Sequence, residues 1–221
     1  MDNLIFIITG GLIQDLAWLH SRIDEKSPAA IICADGGARQ VHALGLVPQL
    51  IIGDMDSLSA DLLQAFAEKG VRICRYPAAK DKTDTELAFT AAIDLHPAEI
   101  WVFGALGYRL DHTLANLSLL LKGETRQVRV KLVDEWCEVF LVTDMATIEG
   151  EAGQTVSLLP FFGEATGVTL TGFEYPLDKK TLSMETPCGV SNRLMSNKAT
   201  ISIESGRLIA IRYFNAGVFP S

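Results

Sequence analysis

Residues 49–57 read QLIIGDMDS, and residues 61–75 continue DLLQAFAEKGVRICR. The short apolar run at 49–52 is a strand that ends in a glycine and two aspartates. Residues 61–69 then carry apolar side chains at helical spacing, Gly70 supplies a C-terminal stop, and 71–75 is extended again. The same alternation extends outward in both directions. Strands are expected at 4–9, 29–34 and 100–103, and helices at 13–26, 85–95 and 113–121. In the first of these helices Ile13, Leu16, Ala17, Leu19 and Ile23 fit one face. Strands apolar along nearly their whole length are buried on both sides, which predicts a mostly parallel sheet covered by helices. The fold class is therefore α/β, an N-terminal doubly wound sheet.

Beyond about residue 124 short strands and turn signals dominate. Strands are expected at 156–159, 168–171, 199–204 and 207–213, with Ser205-Gly206 turning the last pair. Ile201 and Ile203 alternate with Ser202, the pattern of a half-buried strand. This half reads as a C-terminal antiparallel β-sandwich or barrel. Two domains are expected, residues 1–123 and 124–221, divided near Lys122-Gly123-Glu124.

Composition narrows the partners. The chain has 221 residues, 48% of them apolar and 21% charged, which excludes disorder and a small disulfide scaffold. Lys and Arg number 19 against 27 Asp and Glu, a net charge of −8. Nucleic acid is therefore not expected as a partner, because there is no cationic excess to release counterions. Cys33, Cys74, Cys137 and Cys188 form no CxxC pair and read as buried, free thiols of a reducing cytoplasm. No apolar run reaches the roughly 18 residues of a membrane span, and the start has no basic leader region.

The aspartates are the informative feature. Six of the fourteen follow strand ends: Asp35, Asp54, Asp56, Asp81, Asp84 and Asp111. In a parallel sheet those ends share one edge, the ligand-binding edge of open α/β folds. Aspartate also caps helices, so Asp111 singly reads as well as a cap; Thr83 and Glu86 have the spacing of a capping box. Asp54 and Asp56 are harder to explain that way. Two apart in an extended segment, their side chains point the same way. Like charges about 4 Å apart repel by about 4 kcal/mol at an effective dielectric of 20. A hard cation such as Mg2+ offsets that repulsion.

Gly36-Gly37, Gly104 and Gly107, with Gly10-Gly11 after the first strand, let backbone approach a ligand closely. Lys80, Lys82 and Arg109 lie in the same loops as cationic donors, and Arg39 stands one turn into its helix. Neither GxxxxGK[ST] nor GxGxxG occurs. The constellation points to Mg2+-assisted phosphoryl chemistry, in which the metal is the local charge that matters.

The motifs ADGGA (34–38), IIGDMDS (51–57), DKTDTE (81–86), RLDH (109–112) and GVSN (189–192) resemble those of bacterial thiamine pyrophosphokinases, in the family's order. The resemblance implies transfer of a pyrophosphoryl group from ATP to the hydroxyl of thiamine, giving thiamine diphosphate and AMP. It implies an ATP- and Mg2+-binding first domain and a second domain for thiamine binding and dimerisation, with active sites at the subunit interface of a homodimer. By motif match Asp54, Asp56 and Asp84 would be the metal ligands, with Asp35 close by, and together with Arg109 the first three would be the catalytic set. Asp35, Gly36, Gly37, Lys82, Thr83, Gly104, Arg109, Asp111 and His112 would surround the nucleotide. Lys80, Ser191 and Asn192 would contact thiamine. The proton acceptor stays open between Asp56 and Asp84. Ala105 and Tyr108 stand where the family commonly has glycine, and Arg39 where it often has asparagine. Two rivals remain at this stage. A haloacid dehalogenase-type phosphatase would share the apolar run before DxD, but Leu58 occupies its Thr/Val position. A non-catalytic nucleotide or metal sensor would need only the binding residues.

Overall fold

The apolar runs become the strands of a parallel sheet. The structure, a computed structural model, describes residues 3–79, 81–107, 109–186 and 188–215. Its chain divides into two units, one up to Glu135 and one from Trp136. The first alternates β1 (Leu4–Ile8), α1 (Leu16–Lys26), β2 (Ala30–Ala34), α2 (Gly37–Ala43), β3 (Leu50–Gly53), α3 (Ala60–Glu68), β4 (Arg72–Arg75), α4 (Asp84–Ile93), β5 (Glu99–Phe103), α5 (Leu110–Thr125) and β6 (Arg129–Val133). All its strand pairings are parallel, in the order β6-β5-β1-β2-β3-β4. β1 is central: Ile5, Phe6, Ile7 and Ile8 are fully buried, and Phe6 packs on Phe103 with centroids 4.8 Å apart. The chain winds from β1 toward β4 on one side and resumes at β5 on the other. The exits of β1 and β5 therefore flank the point where the winding reverses.

Two boundaries differ from expectation. α1 begins at Leu16 rather than Ile13, because the Asp15 carboxylate accepts from Trp18 N at 2.9 Å and caps the helix there. The division between units falls after β6, not at Gly123-Glu124. α5 runs straight through Gly123, and β6 then pairs in parallel with β5. Gly123 is a site of close approach: a Cβ there would overlap Val130 Cγ2 and lie 2.7 Å from Val128 O.

The second unit contains the four expected strands as β9 (Thr155–Pro160), β10 (Ala165–Thr171), β13 (Lys198–Ser202) and β14 (Leu208–Tyr213). To these it adds β7 (Cys137–Val142), β8 (Met145–Glu149), β11 (Leu177–Leu182) and the short β12 (Asn192–Arg193). The antiparallel orders are β12-β9-β14-β7 and β11-β10-β13-β8. Val142, Val156, Leu158 and Leu208 of one set share a core with Ile148, Val168, Leu170 and Ile201 of the other. This is a β-sandwich. All four cysteines are free, but only Cys33 and Cys137 are buried. Cys74 on edge strand β4 is half-buried and Cys188 is exposed, so the buried-thiol expectation fails for those two. Among the described residues no helix is long and apolar enough to cross a membrane.

Replacing Gly123 tests the α5–β6 contact. Alanine favours a helix over glycine by about 1 kcal/mol, yet overpacking costs about 1–3 kcal/mol, and a backbone carbonyl yields little. Gly123→Ala is expected to lower the urea midpoint; an unchanged or raised midpoint would show a looser contact.

Candidate active site

The sheet rim of the first unit collects its acidic residues by unusual backbone turns. β2 exits into Asp35, held at φ 40°, and β3 exits through Gly53 (φ 154°) and Asp54 to Met55 (φ 66°). α4 begins at Asp84. Carboxylate oxygens of Asp35, Asp54 and Asp84 all lie within 4.8 Å of one another. Asp35 Oδ1 is buried and has no hydrogen-bond partner among the described residues. Three hard oxygen donors, one of them an unused acceptor, fit Mg2+. Gly53 permits the convergence: a Cβ there would lie 2.9 Å from Asp35 Cβ and 3.1 Å from Asp84 Oδ1.

Asp56 lies outside this cluster, contrary to the expected pairing with Asp54. The left-handed Met55 breaks the extended geometry on which that expectation rests, and its side chain is buried. Asp56 is exposed; its N–H donates to Asp54 Oδ1 at 3.2 Å and its Oδ1 accepts from Ser57 Oγ at 3.0 Å. Asp35, expected close to the metal ligands and beside the nucleotide, stands in the cluster itself.

The start of α4 is fixed by the expected capping box. Thr83 Oγ1 accepts from Glu86 N at 3.2 Å, and Glu86 Oε2 accepts from Thr83 N at 3.1 Å. Lys122 Nζ of α5 also donates to Glu86 Oε1. Burial opposes ionisation of Glu86, but the Lys122 ammonium and the Thr83 N–H outweigh it and hold its carboxyl below the usual range. Asp81, Lys82 and Thr83 are exposed, and Lys80 lies outside the described residues. A groove of about 670 Å3 between β4 and α4 takes in Asp81 and Lys82 over an apolar floor that includes Ile52 and Leu87. It lies beside the carboxylate cluster, none of whose members lines it.

At the β5 exit Gly104 (φ 69°) meets the β1 exit. Thr9 Oγ1 donates to Gly104 O at 2.7 Å, and a Cβ on Gly11 would overlap that carbonyl oxygen. Within residues 104–107 positive φ is confined to Gly104, so Ala105 occupies its place without strain, buried at 2% exposure. Tyr108 lies outside the described residues. Arg109 grips Asp111 through Nε–Oδ1 (3.0 Å) and Nη2–Oδ2 (2.6 Å). That fork holds the Asp111 carboxyl well below its usual range. Asp111 is not the helix cap, a position taken by Arg109 without a side-chain bond. His112 is exposed. Gly36 precedes α2, Gly37 packs so tightly that a Cβ would overlap Ile8 O, and Arg39 Nη1 donates to Ser57 O at 2.9 Å.

In the second unit Asn192 is buried and its amide is spent on backbone, its Oδ1 accepting from Arg193 N at 2.9 Å and the rest of its bonds closing on Tyr175. Oδ1 accepts from Tyr175 N at 3.0 Å, and Nδ2 donates to Tyr175 O at 2.8 Å. Ser191 (φ 60°) is exposed, its N–H donating to Ser157 Oγ at 3.0 Å. Tyr175, 62% exposed, escaped the sequence reading. Its only sequence signal is an aromatic residue next to a proline in a polar turn, FEYPLD at 173–178.

Comparison with known proteins agrees with this division. The family model for the thiamin pyrophosphokinase catalytic domain matches residues 24–132, and the one for the thiamin pyrophosphokinase vitamin B1 binding domain matches 145–208. The thiamine pyrophosphokinase of Bacillus subtilis strain 168 is 31% identical over 210 residues, covering 94% of this chain and 97% of its own. A crystal structure of thiamine pyrophosphokinase from Bacillus subtilis superposes with a TM-score of 0.84 at 29% identity, over 96% of this chain and 99% of that one. One of thiamin pyrophosphokinase from Geobacillus thermodenitrificans gives 0.83 at 31% identity, over 98% and 100%.

Crowding around Gly53 makes a direct test of the cluster. Gly53→Ala is expected to weaken Mg2+ binding, read by titration calorimetry, by roughly tenfold or more while leaving the far-UV spectrum intact. Affinity within twofold of the parent would remove the ion from this position.

Proposed function

The chain belongs to the thiamine pyrophosphokinase family, and from that membership we propose that it transfers the pyrophosphoryl group of ATP to the hydroxyl of thiamine, releasing AMP. The observation that carries the mechanism is the convergence of Asp35, Asp54 and Asp84 at one rim. In this reading those three carboxylates hold Mg2+, which when bound neutralises phosphate charge and orients ATP. Asp56, exposed and outside the cluster, accepts the hydroxyl proton on a carboxylate oxygen. The thiamine oxygen forms its bond to the β-phosphorus, and the bond from that phosphorus to the AMP oxygen breaks. Arg109 offsets charge on the nucleotide; a guanidinium has five N–H donors, and the fork to Asp111 engages two. Gly36, Gly37, Gly104, Lys82, Thr83 and His112 border the nucleotide.

On the thiamine side, the buried Asn192 acts by fixing the Tyr175 backbone. The exposed Tyr175 ring offers a face to the thiazolium cation, and the exposed Ser191 hydroxyl offers a hydrogen bond to the aminopyrimidine. A homodimer with sites at the subunit interface belongs to the same reading. It is supported by the exposed apolar Leu110 and Leu114 on α5, directly after Arg109. Four free thiols suit a reducing cytoplasm.

Purified protein given ATP, Mg2+ and thiamine is expected to produce AMP and thiamine diphosphate in equal amounts by chromatography. Inorganic phosphate in place of AMP would favour a phosphatase, and ATP binding without turnover a sensor. Asp54→Asn is expected to fold and to lose more than about a hundredfold in AMP production; near-parental turnover would refute the metal role. Tyr175→Ala is expected to raise the thiamine KM by roughly three- to thirtyfold, the range of a cation–π contact, with Tyr175→Phe near the parent. An increase in the ATP KM alone would move Tyr175 out of the thiamine site.

A further inference from the structure

We propose that Thr113 and Asn116 of α5 are positioning residues that clamp the loop from Gly104 to Gly107 in its nucleotide-binding shape; this rests on the reading that the loop borders ATP. The loop is not shaped by glycine alone. Only Gly104 has positive φ, and a Cβ on Gly107 would meet nothing within 4 Å. Side chains hold it instead. Asn116 Nδ2 donates to Ala105 O at 2.9 Å, and Thr113 Oγ1 accepts from Gly107 N at 3.2 Å. Thr9 fixes the near end through Gly104 O. Thr113 and Asn116 are three apart on α5, so one helix face reaches both loop positions.

Asn116 is only 8% exposed, on the same helix as the buried Leu119 and Leu120. Asparagine is a poor helix former, and a buried amide needs a partner. Its place is explained by the loop carbonyl it holds rather than by the helix. Released, the loop must be ordered by the nucleotide, and binding bears that entropy. Thiamine, held in that reading by Ser191 and Tyr175 rather than by this loop, does not.

The test compares Asn116→Asp and Thr113→Val, near-isosteric changes that remove the donor and the acceptor, with Thr113→Ser, which keeps the hydroxyl. Each of the first two is expected to raise the ATP KM about three- to tenfold, with the thiamine KM within twofold and kcat within threefold. Thr113→Ser is expected to restore the parental ATP KM. Hydrogen exchange of the 105–107 amides is expected to quicken in both disruptive variants. Should Asn116→Asp not fold, the Thr113 pair decides. An ATP KM unchanged in the variants, or rising together with that of thiamine, overturns the clamp. If the parent protein makes no AMP, the functional reading fails separately; exchange then judges the clamp, and rates equal to the parent's overturn it.

Discussion

Three carboxylates share one corner of the sheet rim, and ionised they repel. At 4.8 Å or closer and an effective dielectric of 20 each pair is unfavourable by about 3.5 kcal/mol or more. The backbone must hold them there, and it does so with conformations few residues adopt. Asp35 and Met55 sit in the left-handed region, and Gly53 lies where only a residue without Cβ fits. Such torsions persist where the surrounding structure over-determines them. Here β2 and β3, whose ends lead into these torsions, pair side by side in parallel, and α4 presents Asp84 in its first turn, where the positive end of the helix favours an anion.

Rigid supports recur around that corner. The capping box sets where α4 starts, and Lys122 ties Glu86 to α5. Arg39 ties α2 to the loop after β3, and Gln40 Nε2 donates to Gly11 O at 2.5 Å beside the β1 exit. The β-sandwich uses the same device, with the Asn192 amide closing on the Tyr175 backbone. Apart from the Lys122–Glu86 ion pair, each is a polar side chain spent on backbone rather than kept for ligand. The functional groups are its neighbours.

The alternation of apolar runs with amphipathic stretches made the parallel sheet legible, because burial on both faces leaves no polar alternation in the strands. Asp54 and Asp84 were legible by their place after strands, and the Thr83–Glu86 cap by its spacing. Asp56 stands apart from the carboxylate cluster, which its spacing from Asp54 did not reveal, because a period of two holds only in extended chain and a methionine gives no warning of a left-handed turn. The domain boundary near Gly123 fell short of β6, because the close packing of Gly123 against Val130 leaves no local signature. β6, β7, β8, β11 and β12 were missed. β11 is largely exposed on its polar residues, so its pattern carries little apolar signal. Asn116 and Tyr175 matter through contacts with residues 11 and 17 positions away, which no local pattern records.

The pairing of β1 has a consequence for biosynthesis. Its partners lie on opposite sides of the sequence gap: β2 follows within the first 34 residues, while β5 ends at Phe103. As the polypeptide leaves the ribosome, one hydrogen-bonding flank of the most apolar strand stays open until more than a hundred residues have been synthesised. An unpaired hydrophobic edge is a template for association with other chains. The winding that brings the β1 and β5 exits together is also what prolongs the nascent protein's need for protection.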